Sequence, residues 1–476
     1  MRKFVFSSIA IVWVSTLGAQ TIQSYQLDNG LTVILDANPR DKHVFGSLVI
    51  NVGSADEEPD ATGVAHYLEH MLFKGTSEMG TTDWEKEKIH YEKIINLYQE
   101  LQKTKSADEA KAVNKKINDE VQNQSQYIVP NEFSLATQHM GGKGLNASTS
   151  FEITNYYNAF PSNQIEKWLK LYAHRFSNPV FRLFQTELET VYEEKNRSSD
   201  NLFMDFIYKN REILYGAESP FARKIIGKTD HLKKPSMQAM IDFFEKWYVP
   251  NNMALILSGK FDVKTVKPLV EKYFGGFKRK ALPERRYSAT EVPSKKVKEK
   301  VNLTPYLIGI KNYVFPLDVD FKSTVAIDVI RGLLSNGFST GFLDKLRIDG
   351  DVITAGAFFD ESKISKTLQI QYTPKFDINQ FRQESLNFTE KMIMDAIDKV
   401  IEGNYEDQFL ENIKTSIVQG LERTMETPSN RVNTFTFMFY LNKKMTYISD
   451  YINALKSIDK TYLSEFAKKH LTKNHI

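Results

Sequence analysis

The sequence predicts an α+β fold built as two tandem, homologous α/β-sandwich units, each an antiparallel-rich sheet covered by helices. Three observations lead there. Short runs rich in β-branched and apolar residues alternate with longer stretches of helical periodicity along the chain. Residues 278–300 are charged, follow Gly275-Gly276, contain Pro283 and Pro293, and read as a linker. A weak repeat relates residues 243–253 to residues 466–476: each has an amphipathic helix end, a short polar turn and an Asn two positions before an apolar residue.

The elements follow in order. Arg2 and Lys3 precede an apolar run at 4–14 and a small, polar stretch at 15–20, the pattern of a signal peptide over residues 1–19 with cleavage near Ala19. That run is too short for a comfortable transmembrane helix, and no later segment is long and apolar enough to span a bilayer. The expected product is therefore secreted or periplasmic, with no stable membrane span after cleavage. The first unit occupies 20–277. It opens with strands at 31–35 and 44–52, then a turn-forming segment at 53–63 and a helix at 64–73. A charged, amphipathic helical hairpin is inserted at about 84–126, and Ser106 and Glu109 have the capping-box spacing that starts its second helix. Residues 146–157 alternate towards strand, 164–176, 184–197 and 237–247 read as helices, and 253–257 as a strand. The second unit, 301–476, stops where the first repeat copy runs on into its strand, so it is expected to lack its last strand.

Charge and composition narrow the function. The 476 residues include 62 basic and 59 acidic side chains, a net charge of +3 that gives no electrostatic case for nucleic acid. Cysteine is absent, which excludes disulfides, Cys-ligated metals, thiol nucleophiles and cysteine lipidation. Any metal must be held by His, Asp or Glu.

The chemistry concentrates in His66-Tyr67-Leu68-Glu69-His70. Residues four apart share a helix face, so His66 and His70 can present two imidazoles to one metal ion. Glu69 lies on the same side, close enough to take the proton of an attacking water. Two neutral imidazoles and a carboxylate base are what a hydrolytic zinc site needs. A further donor has to come from elsewhere, and the acidic stretch 187–195 offers Glu187, Glu193 and Glu194. Spacing alone leaves these three open.

With these residues in view, the chain resembles the pitrilysin/insulinase family of zinc metallopeptidases. The likeness runs from about Gln26 onward through Leu27-Asp-Asn-Gly-Leu-Thr-Val33, the His/Glu segment with its Leu-Phe-Lys-Gly75 tail, Gly141-Gly-Lys-Gly-Leu-Asn-Ala-Ser-Thr149, and Glu187-Leu-Glu-Thr-Val-Tyr-Glu-Glu194. It implies one Zn²⁺ per chain held by His66, His70 and Glu194, with Glu69 as general base and Glu187 as the supporting acid. It implies that Asn146 and Ala147 lie on a strand that pairs with an extended substrate, and that Arg347 contacts substrate from the second unit. It also implies that the fold is half of a clam-shaped peptidase chamber. The interval from His70 to Glu194 is longer than is usual in the family, and the hairpin at 84–126 accounts for the excess. One position departs: the family's tyrosine six residues after Arg347 is Ile353 here. The expectation is a zinc endopeptidase acting on peptides or unfolded segments, alone, as a homo-oligomer or with a second peptidase-family half. The alternative is a non-catalytic or partner-dependent subunit that serves binding or assembly.

Overall fold

The computed structural model describes residues 13–17, 20–199, 201–285, 287, 311–375 and 383–471. Most of the expected signal peptide, the linker residues 288–300, the start of the second unit at 301–310 and the terminal 472–476 lie outside the described residues. No helix among the described residues is long and apolar enough to cross a membrane. The chain divides into two compact units.

The first unit is built on a seven-stranded sheet. Its strands are β1 (Trp13–Leu17), β2 (Gln20–Gln26), β3 (Thr32–Ala37), β4 (Val44–Ile50), β5 (Lys143–Thr149), β6 (Thr154–Phe160) and β7 (Met253–Gly259). Their order is β1-β2-β3-β7-β4-β6-β5, antiparallel except where β3 runs parallel to β7. The central β7 is buried on both faces along its whole length, which explains its apolar run from Met253 to Leu257. β5 is one edge strand and β1 the other. The stretch 146–157 expected to alternate as strand is in fact two strands with a turn between them. Ser150 forces that turn, its Oγ accepting from the backbone N–H groups of Glu152 (3.3 Å) and Ile153 (3.1 Å).

Six helices matter for the site: α1 (Val64–Met71), α2 (Trp84–Lys103), α3 (Ala107–Ser125), α4 (Glu132–His139), α5 (Ile165–Ser177) and α6 (Phe184–Ser199). The inserted hairpin is α2 and α3. Asp83 caps α2 and Ser106 caps α3, where Glu109 reaches back to the Lys105 N–H at 2.8 Å. The insertion is no loose elaboration of the surface. Glu87 on α2 is wholly buried and pairs at 2.8 Å with buried Arg182. The same guanidinium donates to the carbonyls of Lys74, Thr76 and Met79, which fastens the hairpin to the segment leaving α1.

The units are not contiguous in sequence. Besides 1–204 and 218–286, the first unit contains 425–442, and the second takes 205–217 with 287–424 and 443–476. The simple division expected at 277 and 301 therefore misses two segments. Helix Pro428–Tyr440 belongs to the first unit, where it buries Val432, Phe435 and Met438 and is anchored by one charged residue. Arg431, fully buried, pairs with Asp36 on β3 at 2.5 Å and with Asp41, and donates to Ser258 on β7 at 3.0 Å.

The second unit has, among the described residues, an antiparallel three-stranded sheet in the order β8 (Lys311–Pro316), β10 (Lys366–Pro374), β9 (Val352–Glu361). Its core gathers on helix Phe321–Leu334, where Val325, Ile327, Ile330 and Leu333 are all inaccessible. With α2, α3 and α4 set aside in the first unit and helix Phe342–Ile348 in the second, the succession β8, Phe321–Leu334, β9, β10 repeats β4, α1, β5, β6, with the same antiparallel order. This is the tandem relation the sequence predicted.

Candidate metal centre

Helix α1 is positioned from both ends. Gly63, its N-cap, sits at φ +91°, in the left-handed region. A Cβ there would also lie 2.7 Å from the Ile226 carbonyl. Gly63→Ala is expected to cost about 1–3 kcal/mol and to lower the thermal midpoint, read by circular dichroism. The buried Glu57 carboxylate accepts from the N–H groups of Gly63 (2.9 Å) and Ala65 (2.8 Å), closing the helix start. Burial pushes the Glu57 carboxyl up to about 8, against the pull of those two hydrogen bonds. At the other end, the Arg175 Nε donates to the Leu72 carbonyl at 2.8 Å. The Arg175 guanidinium lies over the rings of Phe73 (4.0 Å), Tyr156 (4.4 Å) and Phe133 (4.5 Å).

Tyr67, Leu68 and Met71 bury one face of α1, which leaves His66 and His70 on the other. α6 supplies the acids. It buries Leu188 and Val191 and is tied to α1 by the Tyr67 hydroxyl, which donates to the Phe184 carbonyl. Glu187 and Glu194, two turns apart on α6, therefore both face α1.

The structure brings His66, His70 and Glu194 together. Glu194 Oε2 is 3.6 Å from Nε2 of each histidine, and the three donor atoms lie within 4.8 Å of one another. Among the described residues this is the one such group able to hold a metal ion. Ligands about 2.0–2.2 Å from a tetrahedral ion stand roughly 3.4 Å apart, so the two 3.6 Å contacts are close to what Zn²⁺ requires, and the wider spread of up to 4.8 Å closes by side-chain movement. Glu193, open on spacing alone, is outside this group.

Glu187 plays a different part. Its Oε1 is 2.9 Å from His70 Nδ1, and its Oε2 pairs with Lys74. The first contact places the proton on Nδ1 and turns the Nε2 lone pair towards Glu194. Burial raises the Glu187 carboxyl, but His70 and Lys74 outweigh it and hold it below the usual range. His66 is pushed down to about 4, by burial first and then by the neighbouring His70, so its ring is a neutral donor at ordinary pH. Glu69 is 7% exposed, and its Oε2 accepts from Thr149 Oγ1 at 2.6 Å. Burial raises its carboxyl, opposed by Thr149 and then His70.

The remaining expected residues fall in two places. Asn146 and Ala147 are on the edge strand β5, Asn146 outward with its amide 3.4 Å from the Tyr157 hydroxyl, and Ala147 inward and buried. Arg347 lies in the second unit, on helix Phe342–Ile348, donating to Ser339 Oγ at 3.0 Å; Ile353 is on β9. Sequence reasoning missed Lys74, Glu57, Arg175 and Thr149. Lys74 lies four residues after His70 and Thr149 shares the strand parity of Ala147, but neither spacing reveals a partner.

Two family descriptions match the chain: "Insulinase (Peptidase family M16)" over residues 32–90 and "Peptidase M16 inactive domain" over residues 236–417. An uncharacterized zinc protease of Bacillus subtilis, YmxG, is 23% identical over 463 residues, covering 95% of this chain and 97% of its own. Among solved structures, a protease from Helicobacter pylori superposes with a TM-score of 0.72 at 20% identity, over 95% of this chain and 97% of that one. Pitrilysin superposes with a TM-score of 0.66 at 17% identity, over 99% of this chain but only 45% of pitrilysin.

Proposed function

This chain belongs to the pitrilysin/insulinase (M16) family of peptidases, and we propose from that premise that it is a zinc-dependent endopeptidase cutting peptides or unfolded polypeptide segments. The observation that carries the proposal is the convergence of His66, His70 and Glu194, with Glu194 Oε2 3.6 Å from each Nε2 and the Glu69 carboxyl near enough to interact with His70 and Glu194. A zinc ion held there supplies Lewis acidity, lowering the pKa of water and polarising a carbonyl. The protein's own groups do the rest. Glu69 takes the proton of the attacking water and returns it to the leaving amine. Glu187 and Lys74 hold His70 in one tautomer and one orientation. The open edge of β5 takes the substrate as an added strand, whose main-chain hydrogen bonds tolerate many sequences, with Asn146 and Ala147 at the contact.

The N-terminal pattern of Arg2, Lys3 and the apolar run supports a secreted or periplasmic location. Ile353 in place of the family's tyrosine, and a superposition that covers only 45% of pitrilysin, support action together with a second half, a partner or another copy, that completes the chamber. Arg347 then serves substrate from the second unit.

The test is metal content by mass spectrometry and cleavage of a quenched peptide with and without chelator. One zinc per chain and chelator-sensitive cleavage are expected. A purified chain that retains no zinc would sink the ligand assignment. Stoichiometric zinc without cleavage, even beside a partner half, would sink the peptidase reading and leave the binding subunit. Glu187→Ala is expected to weaken zinc binding by about 10–100-fold, as loss of a partner behind a ligating histidine generally does. A competition titration with a chromogenic chelator reads this directly.

A further inference from the structure

We infer that Thr149 is a positioning residue for Glu69: its hydroxyl fixes which carboxylate oxygen faces the attacking water and couples that choice to the strand on which substrate docks. The inference rests on the reading of Glu69 as general base. β5 alternates, with Asn146 and Ser148 exposed and Leu145, Ala147 and Thr149 turned inward. Thr149 is thus the last inward residue of the docking edge, and its Oγ1 donates to Glu69 Oε2 at 2.6 Å. No other hydrogen bond to Glu69 is found among the described residues, so one oxygen is held and Oε1 is left for the proton. A donor on one oxygen restricts the rotation of the carboxylate while leaving the other oxygen open.

The donor is itself immobile. Thr149 is paired in register with Thr154 on β6, whose hydroxyl is committed to the Val52 carbonyl at 2.9 Å. The next residue is pinned too: the Ser150 carbonyl accepts from Ser54 N at 3.0 Å, and Ser150 N donates to Ile153 O at 2.8 Å. Ser54 begins the loop that leads into α1. The strand end, the loop and the helix therefore form a closed ring of hydrogen bonds in which the Thr149 hydroxyl is the link to the base. A peptide that adds to β5 stiffens the edge from outside, and the hydroxyl transmits the resulting strand position to Glu69.

Thr149→Val removes the hydroxyl at nearly constant volume, and Thr149→Ser keeps it. For Val, kcat is expected to fall roughly 10- to 100-fold with KM within about twofold, since the backbone that binds substrate is untouched. Zinc stoichiometry stays at one, and Ser stays within about threefold of wild type. A second readout does not depend on turnover. The visible absorption of the Co²⁺-loaded protein should change in Thr149→Val in the same direction as in Glu69→Gln, and remain unchanged in Thr149→Ser. Wild-type kcat and an unchanged cobalt spectrum in Thr149→Val would overturn the inference. So would a fall in kcat matched by an equal rise in KM with the spectrum unchanged, which marks a strand-packing role. A wild-type chain that takes up no cobalt would instead sink the metal centre, and the inference with it.

Discussion

Glu69→Gln is expected to lower kcat by roughly 10²–10⁴-fold while zinc remains bound at one per chain. The substitution is nearly isosteric, and its amide carbonyl can still accept from Thr149, whose Oγ1 now donates to Glu69 Oε2. What is lost is basicity: an amide cannot take a proton at neutral pH. Glu69 is buried and lies beside the ligands without belonging to the group of three donors, so metal affinity should be nearly unchanged. His70→Ala and Glu194→Ala should behave in the opposite way, losing zinc and activity together. Single-turnover kinetics beside metal analysis separate the two patterns. Retention of more than about a tenth of kcat in Glu69→Gln would rule the residue out as the base.

Arg431→Leu is expected to destabilise the first unit by about 3–5 kcal/mol, read as a lowered urea midpoint. Asp36 is fully buried, with one oxygen accepting from Gln20 (2.6 Å) and the other from Ser258 (2.5 Å) and Arg431 (2.5 Å). Removing the guanidinium leaves that charge, and the nearby Asp41 charge, without a cation. It also frees the carbonyls of Met425 and Glu426, which Arg431 Nη1 now satisfies at 3.1 and 3.2 Å. Adding Asp36→Asn to Arg431→Leu should recover part of the loss, because fewer charges then remain buried unpaired. A midpoint for Arg431→Leu that matches wild type would show that helix Pro428–Tyr440 is held by apolar packing alone.

The parts of the site that local periodicity controls were legible in the sequence. His66 and His70 follow from helical spacing, and the capped hairpin at 84–126 from Ser106 and Glu109. Glu194 came from family likeness, since spacing could not separate it from Glu187 and Glu193; geometry does so by bringing it alone to both histidines. Thr149 and Lys74 were out of reach for another reason. Their roles depend on which strand and which acid pack against α1, a tertiary fact with no local signature. Residues 146–157 kept an alternating pattern through the turn, and only the hydroxyl of Ser150 marks the reversal. Arg431 misled most. An arginine on a helix normally reads as a solvated charge, and nothing nearby in sequence reveals its partner 395 residues earlier.

That separation has a consequence for biosynthesis. Asp36 and Arg431 are 395 residues apart, so at roughly 5–20 residues per second the ribosome needs about 20–80 s between making one and the other. During that interval the sheet that backs α1 carries an uncompensated carboxylate and lacks a helix. The nascent chain can form its His/Glu helix early, but the platform beneath it matures only once Arg431 has been made. The group of His66, His70 and Glu194 therefore rests on an unfinished platform while later residues are still emerging.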